Sequence, residues 1–208
     1  IGICANVGFS MTTTANTVLI GTSAGGAINH TDANGTVAVG YGAGSAITTG
    51  RYNVVLGYNA FDAATELDGN TLIGYEAGTN LSGSAGATYN THVGYNAGAY
   101  ATGSNNTFFG NEAGKGGTES APYSSGKRNT AIGFQALAGF TTGNYNVAIG
   151  YKSATALTTG ESNVAIGQES LEKGIDLIKY VSNKANSIGC KVSLYNHKGW
   201  FGNPMNQI

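Results

Sequence analysis

The chain is 208 residues long, carries a formal net charge of -1, and is 10% charged with 34 glycines. Ordinary soluble domains are about 25% charged, and so neutral a surface offers no electrostatic drive toward nucleic acid or an anionic membrane. Only two prolines, 10% aromatic residues and strictly periodic apolar positions argue against disorder, while no apolar run reaches the roughly 20 residues of a spanning helix.

Residues 1–15 are irregular. Val7, Gly8 and Phe9 fit a degenerate first coil, and the stretch is expected either to join the stack of repeats or to cap it, since an open end exposes unpaired strand edges. The start IGICANVGFS lacks Met, which reads as a fragment or a processed product.

Between residues 16 and 171 one phrase returns nine times: Asn or Thr, a β-branched residue, a variable position, an apolar residue, then Gly. The clear copies run Asn53 to Gly57, Asn70 to Gly74, Asn90 to Gly94, Asn106 to Gly110, Asn129 to Gly133, Asn146 to Gly150 and Asn163 to Gly167, with looser ones ending at Gly21 and Gly40. Anchor glycines fall 17 residues apart four times and 16, 19, 20 or 23 elsewhere. A constant core with elastic spacing is the mark of a stacked repeat with loop insertions. After each glycine comes an aromatic residue in most copies (Tyr41, Tyr58, Tyr75, Tyr95, Phe134, Tyr151), then Ala, then Gly or a bulky apolar residue. Thr-Thr-Gly turns stand at 48–50, 141–143 and 158–160. The pattern predicts a parallel β-solenoid of about nine to ten coils, each with roughly two short strands and two turns.

Side chains alternate along a strand. Val18/Ile20, Val37/Val39, Val54/Leu56 and their counterparts down to Val164/Ile166 are assigned to the interior. The other face reads Leu19, Ala38, Val55, Leu72, His92, Phe108, Ala131, Ala148 and Ala165, polar at one place only. A strand apolar on both sides is covered on both, so Leu19, Val55, Leu72, His92 and Phe108 are expected to meet other chains, most simply in a homotrimer. A surface merely rich in small residues is the alternative. The asparagine four before each anchor predicts a ladder of amides bonding backbone at the turn. The Gly-rich runs recur in every coil with no following helix or lysine, which separates them from phosphate loops.

Segment 172–208 breaks the repeat. Ile175, Leu177, Ile178, Val181, Ala185 and Ile188 lie at helical spacing, and a strand over 190–195 and a turn-rich tail come after them. This part is expected to be a helix and strand cap on the last coil, or a binding tip using Tyr195, His197, Trp200 and Phe201. Catalytic constellations are poor. His30, His92 and His197 lack metal spacing, and Glu66 and Asp68 form a loop pair without an aromatic cleft. His92 is expected as a packed or hydrogen-bonded histidine; the alternative is a ring of three His92 at a trimer axis, an ion or pH-sensitive layer. No catalytic residue, metal or cofactor is expected. Cys4 and Cys190, about 40 Å apart along the stack, cannot pair within a chain and are expected as buried thiols unless they pair between chains.

The phrases NTAIG and NVAIG, the small residue after them and the Thr-Thr-Gly turn, above all NTAIGFQALAGFTTGNYNVAIG over Asn129 to Gly150, resemble the head repeats of YadA-type trimeric autotransporter adhesins and related bacteriophage tail-fibre repeats. The resemblance covers residues 16–171. It implies a left-handed parallel β-roll, trimerised side by side, serving as a rigid host-contact element of a virion or cell surface. The coils here are longer than the usual adhesin-head repeat, and no coiled-coil stalk or membrane barrel comes after them, which favours a phage fibre or a released fragment. The expected function is non-enzymatic attachment, with inserts 27–35, 61–69, 80–89 and 115–127 contacting a host glycan or outer-membrane protein, and with other virion or fibre proteins as partners. The alternatives are a purely structural filament or capsid-decoration fibre, and an ice-binding solenoid with threonine arrays. Nucleic acid and membrane insertion of this segment are excluded as partners.

Overall fold

The computed structural model describes residues 2–11, 16–29, 33–81 and 86–171. Strands β1 (Gly2–Ile3), β2 (Val18–Ile20), β3 (Val37–Val39), β4 (Val54–Leu56), β5 (Thr71–Ile73), β6 (Thr91–Val93), β7 (Thr107–Phe109), β8 (Thr130–Ile132), β9 (Val147–Ile149) and β10 (Val164–Ile166) form one sheet in sequence order. Every neighbouring pair is parallel, and the repeat phrases pair residue for residue: Val37 with Val54, Val54 with Thr71, Thr71 with Thr91. The result is an all-β solenoid.

Each coil contributes one strand rather than the two expected. The other half is a run of tight turns in which Ala24 N donates to Gly21 O, Gly26 N to Ser23 O and Ile28 N to Gly25 O, while Gly25 N and Ala27 N reach down to Ala43 O and Ser45 O of the next coil. Positive φ recurs two and four residues after each anchor glycine, as at Gly42 and Gly44 or Gln135 and Leu137. Turns of this kind satisfy backbone groups as fully as a strand would without leaving the period-2 signature that betrays one. At the anchor itself only glycine fits. Gly133 has φ +124, and a Cβ there would stand 2.6 Å from Gly150 O of the following coil.

The strand faces are the reverse of the sequence assignment. The middle residue of each strand, from Leu19, Val55 and Leu72 through His92 and Phe108 to Ala165, is buried inside its own chain, whereas the flanking pairs such as Val164/Ile166 face outward. Leu19, Val55, Leu72, His92 and Phe108 are therefore core and not an interchain face. Alternation shows that two faces differ but not which is inside. The turn half decides, by bringing the buried alanines Ala24, Ala43, Ala60 and Ala77 against the middle row.

Filling that narrow interior needs matched volumes. The residue six after the strand's middle one points at it, and in most coils the two sizes complement each other, Ala38 with Gly44 and Ala148 with Ala154 being small on both sides. Opposite the large Leu19, Leu72, His92 and Phe108 stand Gly25, Gly78, Gly98 and Gly114, where a Cβ would collide with the facing side chain. Opposite Val55 and Ala131 stand the buried Phe61 and Leu137, which accept φ of 55° and 52° to reach the core. Burying a large apolar side chain, worth about 1.5–3 kcal/mol, offsets the roughly 1–2 kcal/mol of a left-handed backbone.

The asparagine ladder is present as expected. Asn70 N donates to Asn53 Oδ1 (2.9 Å), Asn90 N to Asn70 Oδ1 (3.0 Å), Asn106 N to Asn90 Oδ1 (2.9 Å), Asn129 N to Asn106 Oδ1 (2.9 Å), Asn146 N to Asn129 Oδ1 (2.9 Å) and Asn163 N to Asn146 Oδ1 (3.0 Å). Their amides also donate to turn carbonyls, as Asn129 Nδ2 does to Gly143 O. At the other end, Gly2 and Ile3 pair with Leu19 and Ile20, so residues 2–11 continue the stack. Cys4 takes the anchor-glycine place with φ 106 and is exposed, not buried. Cys190, the expected helix and the expected cap lie outside the described residues.

Candidate functional surfaces

Three rows of side chains run along the outside of the stack. The first is the outward strand face, apolar over most of its length, with Phe109 57%, Val164 68% and Ile166 66% exposed. In its middle, Thr71, Thr91, Thr107 and Thr130 fall in register on four successive strands.

The second row lies just after the anchor glycines. Tyr41, Tyr58, Tyr75 and Tyr95 stack ring on ring, with centroids 5.2, 5.3 and 5.2 Å apart and planes within 13°. Phe134 and Tyr151 repeat the arrangement at 5.4 Å. One such ring per coil, at the strand repeat, covers the faces of its neighbours, and each pair contributes about 0.5–1.5 kcal/mol. The sequence displayed this row without its stacking.

The third row, which the sequence pattern did not reveal, stands one residue before the asparagine ladder. Every position there has positive φ, among them Tyr52, Gly69, Tyr89, Asn105, Arg128 and Tyr145. The tyrosines are 66%, 65% and 52% exposed. A Cβ on Gly35 would meet the Tyr52 ring at 2.8 Å, and one on Gly69 would meet the Tyr89 ring at 2.7 Å. Each ring thus occupies the place of a side chain in the preceding coil. The Arg128 guanidinium lies over the Tyr145 ring, 5.3 Å from its centroid, and Nη1 donates to the hydroxyl at 2.6 Å. Alternation of Tyr with Gly five residues before the anchor was the available signal. Beside this row run paired polar groups: Arg51 Nη2 stands 3.4 Å from Asp68 Oδ2, and Asn144 Nδ2 donates to Glu161 Oε1 at 2.6 Å.

His92 is fully buried between coils, stacked on Phe108 at 4.7 Å, with neither ring nitrogen partnered. Burial pushes its pKa down to about 3, so the ring is neutral. Enclosed within one chain, it cannot join a three-histidine layer on an axis between chains.

The inserts divide unequally. Ile28 and Ala33, then Phe61, Ala64 and Leu67, then Leu81 and Ala87 are buried, so each of the first three inserts contributes side chains to the core. In the fourth, residues 119–122 are exposed. There Lys115 Nζ bonds Glu119 Oε1 at 2.9 Å and stands 3.6 Å from Glu112 Oε1; the Glu119 bond above all raises the lysine pKa despite partial burial. Asp68 is tied to Arg51, from whose backbone N–H it accepts a hydrogen bond at 2.7 Å. Among the described residues no group of three His, Cys, Asp or Glu could hold a metal ion, and no helix is long and apolar enough to cross a membrane. Two hollows lie at the ends of the stack, about 300 Å³ beside Asn6 and Phe9 and about 230 Å³ beside Leu157 and Leu171. Tyr195, His197, Trp200 and Phe201 lie outside the described residues. No family model, curated protein or solved structure matches the chain.

Proposed function

We propose that the chain is a non-enzymatic structural and host-attachment element, a tail-fibre or surface-adhesin rod assembled as a homotrimer on a virion or cell surface. The observation that carries this reading is the uncovered outward stripe. Ten strands at about 4.8 Å give a stripe roughly 40 Å long, and with the row of rings just after the anchor glycines it approaches the ~800 Å² per partner of a stable interface. A regular face apolar over most of that length fits a second copy of the same rod, and three copies close the contact symmetrically. The in-register ladders of asparagine and aromatic rings stiffen the rod, as a fibre requires.

The test is retention of the labelled chain on whole bacterial cells. Saturable retention, displaced by unlabelled chain, is the expected result. Retention that never saturates or displaces overturns attachment and leaves a shaft or filament. A second reading has one observation in its favour: the four threonines in register on the outward strand face suit an ice-binding surface. That reading requires a monomer and thermal hysteresis in solution.

A further inference from the structure

The third row has the form of a linear recognition track. In the stacked row each ring hides the faces of the next. Here Gly69 stands between Tyr52 and Tyr89, and Asn105 between Tyr89 and Arg128, so successive platforms are two coils apart, about 10 Å at the strand repeat. The planar guanidinium of Arg128, hydrogen-bonded to the Tyr145 hydroxyl, makes the third platform. Arg51 and Asp68, hydrogen-bonded to each other at the margin, add donors and acceptors within reach of the rings. Flat π-faces at regular intervals beside short polar side chains suit a polymer whose units offer an apolar face and hydroxyl edges in alternation. An extended β-linked glycan turns over with each sugar, and so repeats every two residues, at close to this spacing.

We infer that Tyr52, Tyr89 and the Arg128–Tyr145 pair form a track for an extended β-linked glycan lying along the rod, one platform to every second sugar. This deepens the attachment reading and rests on it for biological meaning. The Tyr52 and Tyr89 rings are seated over Gly35 and Gly69 of the preceding coils, which lowers the ordering cost that opposes binding.

The test is calorimetric titration of the whole chain with β-1,4-linked glucose and N-acetylglucosamine oligomers of two to six units. Affinity is expected to step up from disaccharide to trisaccharide, which reaches two platforms, and again at pentasaccharide, which reaches three. Tyr52→Ala and Tyr89→Ala should each weaken pentasaccharide binding about 3- to 10-fold, the worth of one aromatic contact, and Tyr89→Phe should retain it. No binding of either hexasaccharide at millimolar concentration overturns the track. So does a fall in oligomer mass in the Ala variants, which would place the row between copies. If cells retain the Tyr52→Ala/Tyr89→Ala protein as well as the unaltered chain, attachment stands and the track falls. Oligosaccharide binding without cell retention supports the track and refutes attachment.

Discussion

The matched volumes across the core make Ala131 and Leu137 a sharp test of how the sequence builds this interior. Both are fully buried, and Leu137 holds φ 52° to reach the space that Ala131 leaves. Leu137→Gly removes a buried side chain, a loss of about 2–5 kcal/mol, lessened by about 1–2 kcal/mol as the left-handed strain is relieved. Ala131→Leu drives a larger side chain into occupied space, a loss of about 1–3 kcal/mol. Together they reproduce the pairing of Leu72 with Gly78, where glycine makes room for the leucine. The double variant should lie within about 1 kcal/mol of the original, a coupling of about 2–3 kcal/mol. Urea denaturation monitored by circular dichroism at one protein concentration gives all four stabilities. Additivity within about 0.5 kcal/mol would refute complementary packing between these positions.

The core and the anchors carry two further expected outcomes. His92 titrates near 6.5 when unfolded and at about 3 when buried, so the unfolded chain binds the extra proton and stability falls as pH drops below 6.5, by about 1.4 kcal/mol per unit. Between pH 7 and 4.5 the unaltered chain should lose about 2–3 kcal/mol more than His92→Phe, read as the difference in urea midpoints, and equal losses would contradict a buried neutral ring. Gly133 and Gly167 share positive φ, +124 and +118, but among the described residues only Gly133 of the two faces the carbonyl of a following coil within contact distance. Gly167→Ala should cost the backbone strain alone, about 1–3 kcal/mol, and Gly133→Ala about 1–3 kcal/mol more; equal thermal shifts would show that the close approach carries no cost.

The solenoid was legible because its determinants are local and repeated. The asparagine and the anchor glycine each have one backbone role, and every copy restates it, so Asn53, Asn70 and Asn90 were enough to set the register. What was not legible lay in choices that repetition leaves degenerate. Leu72 and Ile73 are both apolar, and only the turn half, which carries no strand signature, determines that Leu72 goes inside. His92 was misplaced for a related reason: the apolar row it stands in suggested an interface, while Gly98 had made room for it in the core. Phe61, Leu67 and Leu81 read as loop residues, yet their side chains are buried in the core. The tyrosine track was hidden because Tyr52 and Tyr89 skip a coil, and a period of two repeats does not stand out in a pattern read one repeat at a time.

The outward strand face, on this account, is buried between copies, and the mass in solution tests that most directly. Light scattering of the intact chain should give about 63 kDa, three times its 21.0 kDa, while Val147→Lys/Ile149→Lys, at half-buried outward positions of β9, should give a smaller species with an unchanged circular dichroism spectrum. A species of 21.0 kDa for the unaltered chain, or a species of about three times that mass indifferent to the two lysines, would contradict burial of this face between copies.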